Sequence, residues 1–174
     1  MKTRTATERD VEAIAHLHAD SWRRNYRGAY LDSYLDGDVV SDRIAVWNQR
    51  ITRPVVSSHT IVAEHDGAFA GFAHTVFEDD PQWGALLDNL HVTHEMKGGG
   101  VGTVLMAESA RVLLEREPPT GLYLWVLEQN EPAQAFYRAR GGTEAGRELR
   151  GPFPGGGTAF AFRIVWPDPA RLFR

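Results

Sequence analysis

The fold is decided by Leu86-Leu87-Asp88-Asn89-Leu90-His91-Val92, a short link, and then Lys97-Gly98-Gly99-Gly100-Val101-Gly102-Thr103 entering an apolar helical run. The first part reads as a strand. The glycines let the backbone turn tightly and approach a ligand, and the helix start beyond them presents unpaired N–H groups with partial positive charge. Such a place suits an anion, best a phosphate or pyrophosphate. The same residues also suit a plain strand-to-helix turn that holds no ligand. A nucleotide P-loop needs Lys-Ser or Lys-Thr after its last glycine, whereas Gly102 is followed by Thr103-Val104. A dinucleotide fingerprint needs G-x-G-x-x-G, whereas Gly98, Gly100 and Gly102 are spaced by two.

Upstream, residues 59–65 and 69–77 are β-rich runs joined by Asp66-Gly67, the strongest short hairpin signal in the chain. Residues 1–7 read as a first strand. Thr7 is the expected N-cap and Asp10 lies in the first turn of a helix whose Val11, Ile14, Ala15, Leu17 and Ala19 suit one buried face. That helix is expected to fray between Asn25 and Gly28. A second is expected over 39–51, ended by Pro54. Downstream, residues 100–116 carry a wide apolar stripe and Pro118-Pro119 stops the helix. Leu122–Leu127 suits a central strand, 132–138 a short helix ended by Gly141-Gly142, and strands near 144–149 and 158–166 flank a Pro/Gly loop over 151–157. The expected class is α/β (α+β): a mixed, mostly antiparallel central sheet flanked by helices, in one domain over residues 1–174.

Composition narrows the function. At 174 residues with 43% apolar side chains, the chain can bury a full core without metal or disulfide. It has no cysteine, which excludes thiolate metal sites, disulfides and a cysteine nucleophile. The net charge of −4 argues against a nucleic-acid partner, although residues 138–174 hold seven Arg against three acids and are locally basic. No signal-like or membrane-length apolar run is visible, so a cytoplasmic protein without a membrane partner is expected. The histidines show no metal-ligand spacing, and no G-x-S-x-G elbow is present, so neither metal nor serine acyl chemistry is expected.

Leu90-His91-Val92 and Lys97-Gly98-Gly99-Gly100-Val101-Gly102 resemble the characteristic segment of the GNAT superfamily of N-acetyltransferases, a strand ending in L-x-V before Q/R-x-x-G-x-G/A. Here Lys97 stands where Gln or Arg is usual, keeping the charge without the guanidinium fork. Downstream, Asn130-Glu131-Pro132-Ala133-Gln134-Ala135-Phe136-Tyr137-Arg138-Ala139-Arg140-Gly141-Gly142 is similar to the family's N-x-x-A-x-x-F-Y-x-x-x-G-F, departing only at Gly142. The resemblance implies a GNAT-like architecture with acetyl-CoA as donor. It places the pyrophosphate on the amides of Gly98, Gly99, Gly100, Val101, Gly102 and Thr103, and the pantetheine arm beside Leu90, His91 and Val92 as an added strand. Asn130, with Ala133 and Phe136 on the same helix, would meet the arm from the other side; Asn130 also suits a helix N-cap.

Direct acetyl transfer needs a neutral amine, a stabilised oxyanion and a proton for the leaving thiolate. The resemblance makes Tyr137 the general acid, and the N–H of Val92 or a close neighbour the oxyanion donor. No family position fixes the base. Period-2 alternation puts Asp88 on the face of Leu90 and Val92, making it the first candidate; His91, on the opposite face, is the alternative, and Glu128 ends the next strand. Trp22, Tyr26 and Tyr30, four apart, would line one side of a helix and offer ring faces to the acceptor, while Glu78-Asp79-Asp80 could attract an amine. The expected acceptor is a small-molecule or peptide amine, and the C-terminal strand pair suits a possible homodimer. A non-catalytic acyl-CoA-binding module is the rival reading; a ligand-free interaction domain is a further one.

Overall fold

The computed structural model describes residues 1–54, 56–116 and 120–173. β1 (Lys2–Thr5) leads into a short 3-10 turn and α1 (Val11–Asn25). Thr7, the expected N-cap, caps the 3-10 turn instead, and Asp10, expected in the first turn, is the N-cap of α1. The Thr7 N–H donates to Asp10 Oδ2 at 2.7 Å, and Arg4 grips both carboxylate oxygens at 2.7 and 2.8 Å. A five-residue helix absent from the sequence reading, α2 (Asp32–Asp36), precedes α3 (Val39–Thr52). Its shortness explains the omission, since one turn carries no apolar period.

β2 (Ser58–His65) and β3 (Ala68–Asp80) form the expected hairpin, with Asp66 and Gly67 both at positive φ. β4 (Gly84–Val92) completes the meander, and α4 (Val101–Leu114) crosses to β5 (Leu122–Leu127). The stop expected at Pro118-Pro119 lies outside the described residues. α5 (Glu131–Ala139) is followed by β6 (Thr143–Arg150) and β7 (Ala159–Trp166). The seven strands form one sheet in the order β1-β2-β3-β4-β5-β7-β6, and all neighbours are antiparallel except β4 and β5.

Alternating residues send side chains to two faces. Ile61, Ala63 and Ala73 pack with Val101, Leu105, Met106 and Leu113 of α4; Val62 and Phe72 pack with Ile14 of α1 and Trp47 of α3. A third apolar cluster joins Trp22 and Leu35 to Leu127 and Ala161 at the far ends of β5 and β7. At the departure from the family pattern, a Cβ on Gly142 would lie 2.5 Å from Ile164 Cγ2, and the buried Trp166 ring fills the adjacent space. The aromatic mass comes from β7 instead. No described helix is long and apolar enough to cross a membrane.

Candidate active site

The site starts from a defect in the sheet. Among the described residues, β4 and β5 pair only at Ala85–Leu122 and Leu86–Tyr123, after which the strands part. From Leu87 onward β4 has a described strand partner on its β3 side alone. The N–H of Thr93 donates to Ala70 O at 3.0 Å across β3. Successive N–H groups of an extended chain point to opposite edges, so those of Val92 and Leu90 point into the gap beside β5.

At the end of this gap the glycine run turns the chain into α4. Gly98 and Gly100 sit at φ 80° and 83°, and a Cβ at either would meet nothing within 4 Å, so the loop's outer side is open. The N–H groups of Gly98, Gly100, Val101, Gly102 and Thr103 have no backbone acceptor among the described residues, whereas Val104 N–H already bonds Gly100 O. At Gly102 a Cβ would lie 3.1 Å from the Phe136 ring, so the glycine lets α5 approach the start of α4. Lys97 shares a small cleft with Arg24 and Ser21 of α1. Unpaired amides, an open face and a cation together fit a pyrophosphate.

α5 closes the other side of the gap. Asn130 caps it, its Oδ1 accepting from Ala133 N–H at 3.4 Å, and Gln134, buried, donates to Leu127 O at 3.1 Å and Glu128 O at 2.7 Å, tying the helix to the end of β5. Tyr137 projects beside Phe136 and Trp166, with ring centroids at 5.4 and 6.1 Å. Burial raises its phenol pKa, helped by Tyr26 nearby, so the proton stays on through the neutral range.

Asp88 is placed differently from the alternation expected of it. His74 pairs with Asn89 but Thr75 pairs with Leu87, so Asp88 is the extra residue of a β-bulge. The bulge reverses the alternation. Leu90 and Val92 pack toward α4, while Asp88 joins Asn89 and His91 on the side of α1 and α3. There Arg50 of α3 donates to Asp88 Oδ2 at 2.7 Å and to Asn89 Oδ1 at 2.9 Å. His91, the alternative base, is buried with Nδ1 2.9 Å from Ser21 Oγ and its ring 4.8 Å from that of His18; burial pushes its pKa down to about 4. It packs α1 onto the sheet. Glu128 is turned outward, its two carboxylate oxygens accepting from Nε and Nη2 of Arg147, each at 2.8 Å.

At the acceptor end, the aromatic stripe outlives the helix that was expected to carry it. Tyr26 is the C-cap of α1 and Tyr30 lies beyond, yet Tyr30 N–H bonds Tyr26 O at 2.9 Å and the rings stack at 5.3 Å. Trp22, expected to face the acceptor, is core: it is 6% exposed, with Arg43 4.4 Å above its ring and His18 edge-on at 4.3 Å. Tyr26 lies near Asp88, and burial together with that carboxylate pushes its pKa up to about 12. Glu78-Asp79-Asp80 closes β3 at the opposite end of the sheet, where β4 and β5 are still paired. Tyr123 there bonds Asp79, so this acidic run lies away from the gap.

A strand gap, a glycine-turned helix start and an aromatic end now stand in one line, and the family model described as the acetyltransferase (GNAT) family matches residues 11–141. The chain belongs to the GNAT family of acetyltransferases. Over 138 residues it is 28% identical to the uncharacterized N-acetyltransferase YuaI of Bacillus subtilis (strain 168), spanning 78% of this chain and 76% of that one. Among solved structures, the PaiA N-acetyltransferase of Thermoplasma acidophilum in complex with coenzyme A superposes with a TM-score of 0.69 at 18% identity, over 95% of this chain and 98% of that one. A nourseothricin acetyltransferase is 30% identical over 64% of this chain and 66% of its own, with a TM-score of 0.55.

Several residues of this GNAT site carry no local sequence signal. Arg50, Asn89 and Gln129 act through partners 38 to 104 positions away. His18 is one of an unremarkable helical pair, yet Trp47 Nε1 donates to its Nδ1 at 2.9 Å, which leaves the neutral ring's proton on Nε2.

Proposed function

We propose that this single domain is an acetyl-CoA-dependent N-acetyltransferase that passes the acetyl group to a primary amine by direct attack, without a covalent enzyme intermediate. The observation that carries the reading is the parting of β4 and β5 beside an unpaired helix start. It offers strand backbone to the amides of a pantetheine arm and N–H groups to a pyrophosphate. Coenzyme A in the PaiA structure supports the choice of ligand. A cytoplasmic location, where acetyl-CoA is plentiful, fits the same reading.

The residues divide the chemistry. Lys97 and the amides of Gly98, Gly100, Val101, Gly102 and Thr103 hold the phosphates, whereas Gly99, expected among them, has its N–H bonded to Met96 O at 3.1 Å and serves the turn; Leu90 and Val92 pair with the arm, and Asn130, Ala133 and Phe136 bound it from α5. When bound, acetyl-CoA supplies the activated carbonyl and a thiolate leaving group. Asp88 takes the proton that the amine must lose; Arg50 fixes its Oδ2, and Oδ1 has no partner among the described residues. The Val92 N–H donates to the carbonyl oxygen as charge builds on it. Tyr137 gives its proton to the departing sulfur, and Tyr26 lines the path of the acceptor. The test is thiol release with a panel of primary amines at pH 8. Protection against heating by CoA with no release for any amine would favour the binding-module reading, and no CoA protection at all would end both.

A further inference from the structure

Arg50 stands in the last turn of α3 with its side chain 33% exposed, so the helix alone does not hold its long chain on Asp88. What holds it lies one turn back. Trp47, three positions earlier and fully buried, lies beneath the guanidinium at 5.0 Å, a distance at which a cation is drawn to an indole face. The indole is set in turn by other elements. Phe72 and His74 of β3 meet it at steep angles, 80° and 87°, with centroids at 5.0 and 5.3 Å. Its Nε1–H donates to Nδ1 of His18 on α1 at 2.9 Å and has no other acceptor among the described residues.

His18 is suited to receive that bond. The ring is 1% exposed, closed in by Trp22 at 4.3 Å and His91 at 4.8 Å, and burial, ahead of the nearby His91, Arg43 and Arg50, keeps it neutral. A neutral imidazole has one nitrogen lone pair to offer, and the indole takes it. Packing alone would not call for this pair, since two apolar rings of the same shape avoid desolvating an N–H and a ring nitrogen. What the polar pair adds is direction: the bond admits one setting of the indole plane, and that plane lies under Arg50. We infer, resting on the reading of Asp88 as the base, that His18 and Trp47 are positioning residues for acetyl transfer: their bond fixes the indole, the indole holds Arg50, and Arg50 aims the Asp88 carboxylate.

The experiment is a double-mutant cycle, read as kcat at saturating acetyl-CoA with the most active amine of the thiol-release panel. Trp47→Phe removes the N–H and shrinks the face under Arg50; His18→Leu removes the acceptor and leaves the indole. Each should lower kcat about 10-fold, a fraction of what a small misplacement of a reacting group can cost, with the Kd for CoA unchanged. Neither should lower kcat further once Asp88 is Asn, because no base is left to aim. The same fold-loss in both backgrounds would overturn the inference, since damage to the fold acts whether or not the base is present; so would wild-type kcat in both variants. A readout that needs no core substitution is the NMR signal of the Trp47 indole N–H in the wild-type protein, assigned through its proximity to His18. It should lie downfield of the other indoles and exchange slowly, and a signal exchanging freely with water would overturn the inference even where neither variant folds. Wild-type turnover in Asp88→Asn would remove the base, and these positioning roles with it, while leaving acetyl transfer in place. A wild-type chain that acetylates no amine would end the acetyltransferase reading itself.

Discussion

Arg50 Nη1 lies 2.7 Å from Asp88 Oδ2, joining the third helix to the bulge of the fourth strand. The same nitrogen reaches Asn89 Oδ1 at 2.9 Å, and the guanidinium rests 5.0 Å from the Trp47 ring centre. The carboxylate is therefore held by one oxygen in a fixed direction, as a positioned proton acceptor should be. Asp88→Asn should lower kcat at neutral pH by about 100-fold, the ordinary worth of a general base, while leaving CoA affinity unchanged. Steady-state kinetics with calorimetric CoA binding checks this; wild-type turnover in the variant would remove Asp88 from the mechanism. Arg50→Met should lower kcat in the same sense, and Arg50→Lys should recover part of the loss.

In the proposed mechanism the Tyr137 hydroxyl supplies the proton on the other side of the gap. Its raised pKa keeps it protonated at any pH where the amine is reactive. Tyr137→Phe keeps the packing against Phe136 and Trp166 and removes only the proton. It should reduce kcat by about 100-fold or more with little change in CoA affinity. A variant that turned over normally would point to solvent as the acid.

Much of this site is legible in the chain, and the exceptions share a cause. Gly98 to Gly102, Asn130 and Tyr137 are local patterns, because a helix start and a cap are built from consecutive residues. Asp88 defeats alternation because a bulge is set by the register of β3 against β4, which no single strand records. Arg50, Gln129 and the loop at residues 153–157 are illegible for the same reason: their partners lie in distant segments brought together by the sheet. Trp22 shows the limit of spacing alone. Three aromatics four apart predict one stripe, but the core takes in the first and the third of them, Trp22 and Tyr30, and leaves only Tyr26 partly exposed.

The left-handed turn at Gly100 gives a test of the phosphate cradle. At φ 83° a non-glycine residue is strained although space is open around it. Gly100→Ala should cost about 1 kcal/mol of stability by conformation alone. It should also tilt the amides of Val101 and Gly102, so the Kd for CoA should rise several-fold while kcat at saturating donor stays near wild type. Chemical denaturation and calorimetry separate the two effects. Unchanged CoA affinity alongside the stability loss would place the pyrophosphate elsewhere.

Burial of imidazoles sets the behaviour in acid. His74 and His91 are both pushed down to about 4, in each case chiefly by burial, and His18 lies well below its ordinary value for the same reason. His74 has Thr60 Oγ1 2.8 Å from its Nδ1, with Arg50 and Asp88 nearby, while His91 has Ser21, Asp88 and Lys97 around it. An unfolded imidazole takes a proton near pH 6.5, whereas the folded ones resist until near pH 4. Between those values the unfolded chain binds more protons, so stability is complete above pH 6.5, falls as pH drops through the window, and levels near 4 as far as His74 and His91 are concerned. Each of these two groups contributes a loss on the order of 3 kcal/mol across it. Denaturation midpoints at pH 7.5, 6, 5 and 4.5 should trace this slope, and His91→Phe, which packs against Phe72 without titrating, should lower it by about 1.4 kcal/mol per pH unit, the worth of one proton. An unaltered slope in that variant would mean that His91 is already charged in the folded protein, and its bond to Ser21 would then have to be redrawn with the ring as donor on both nitrogens.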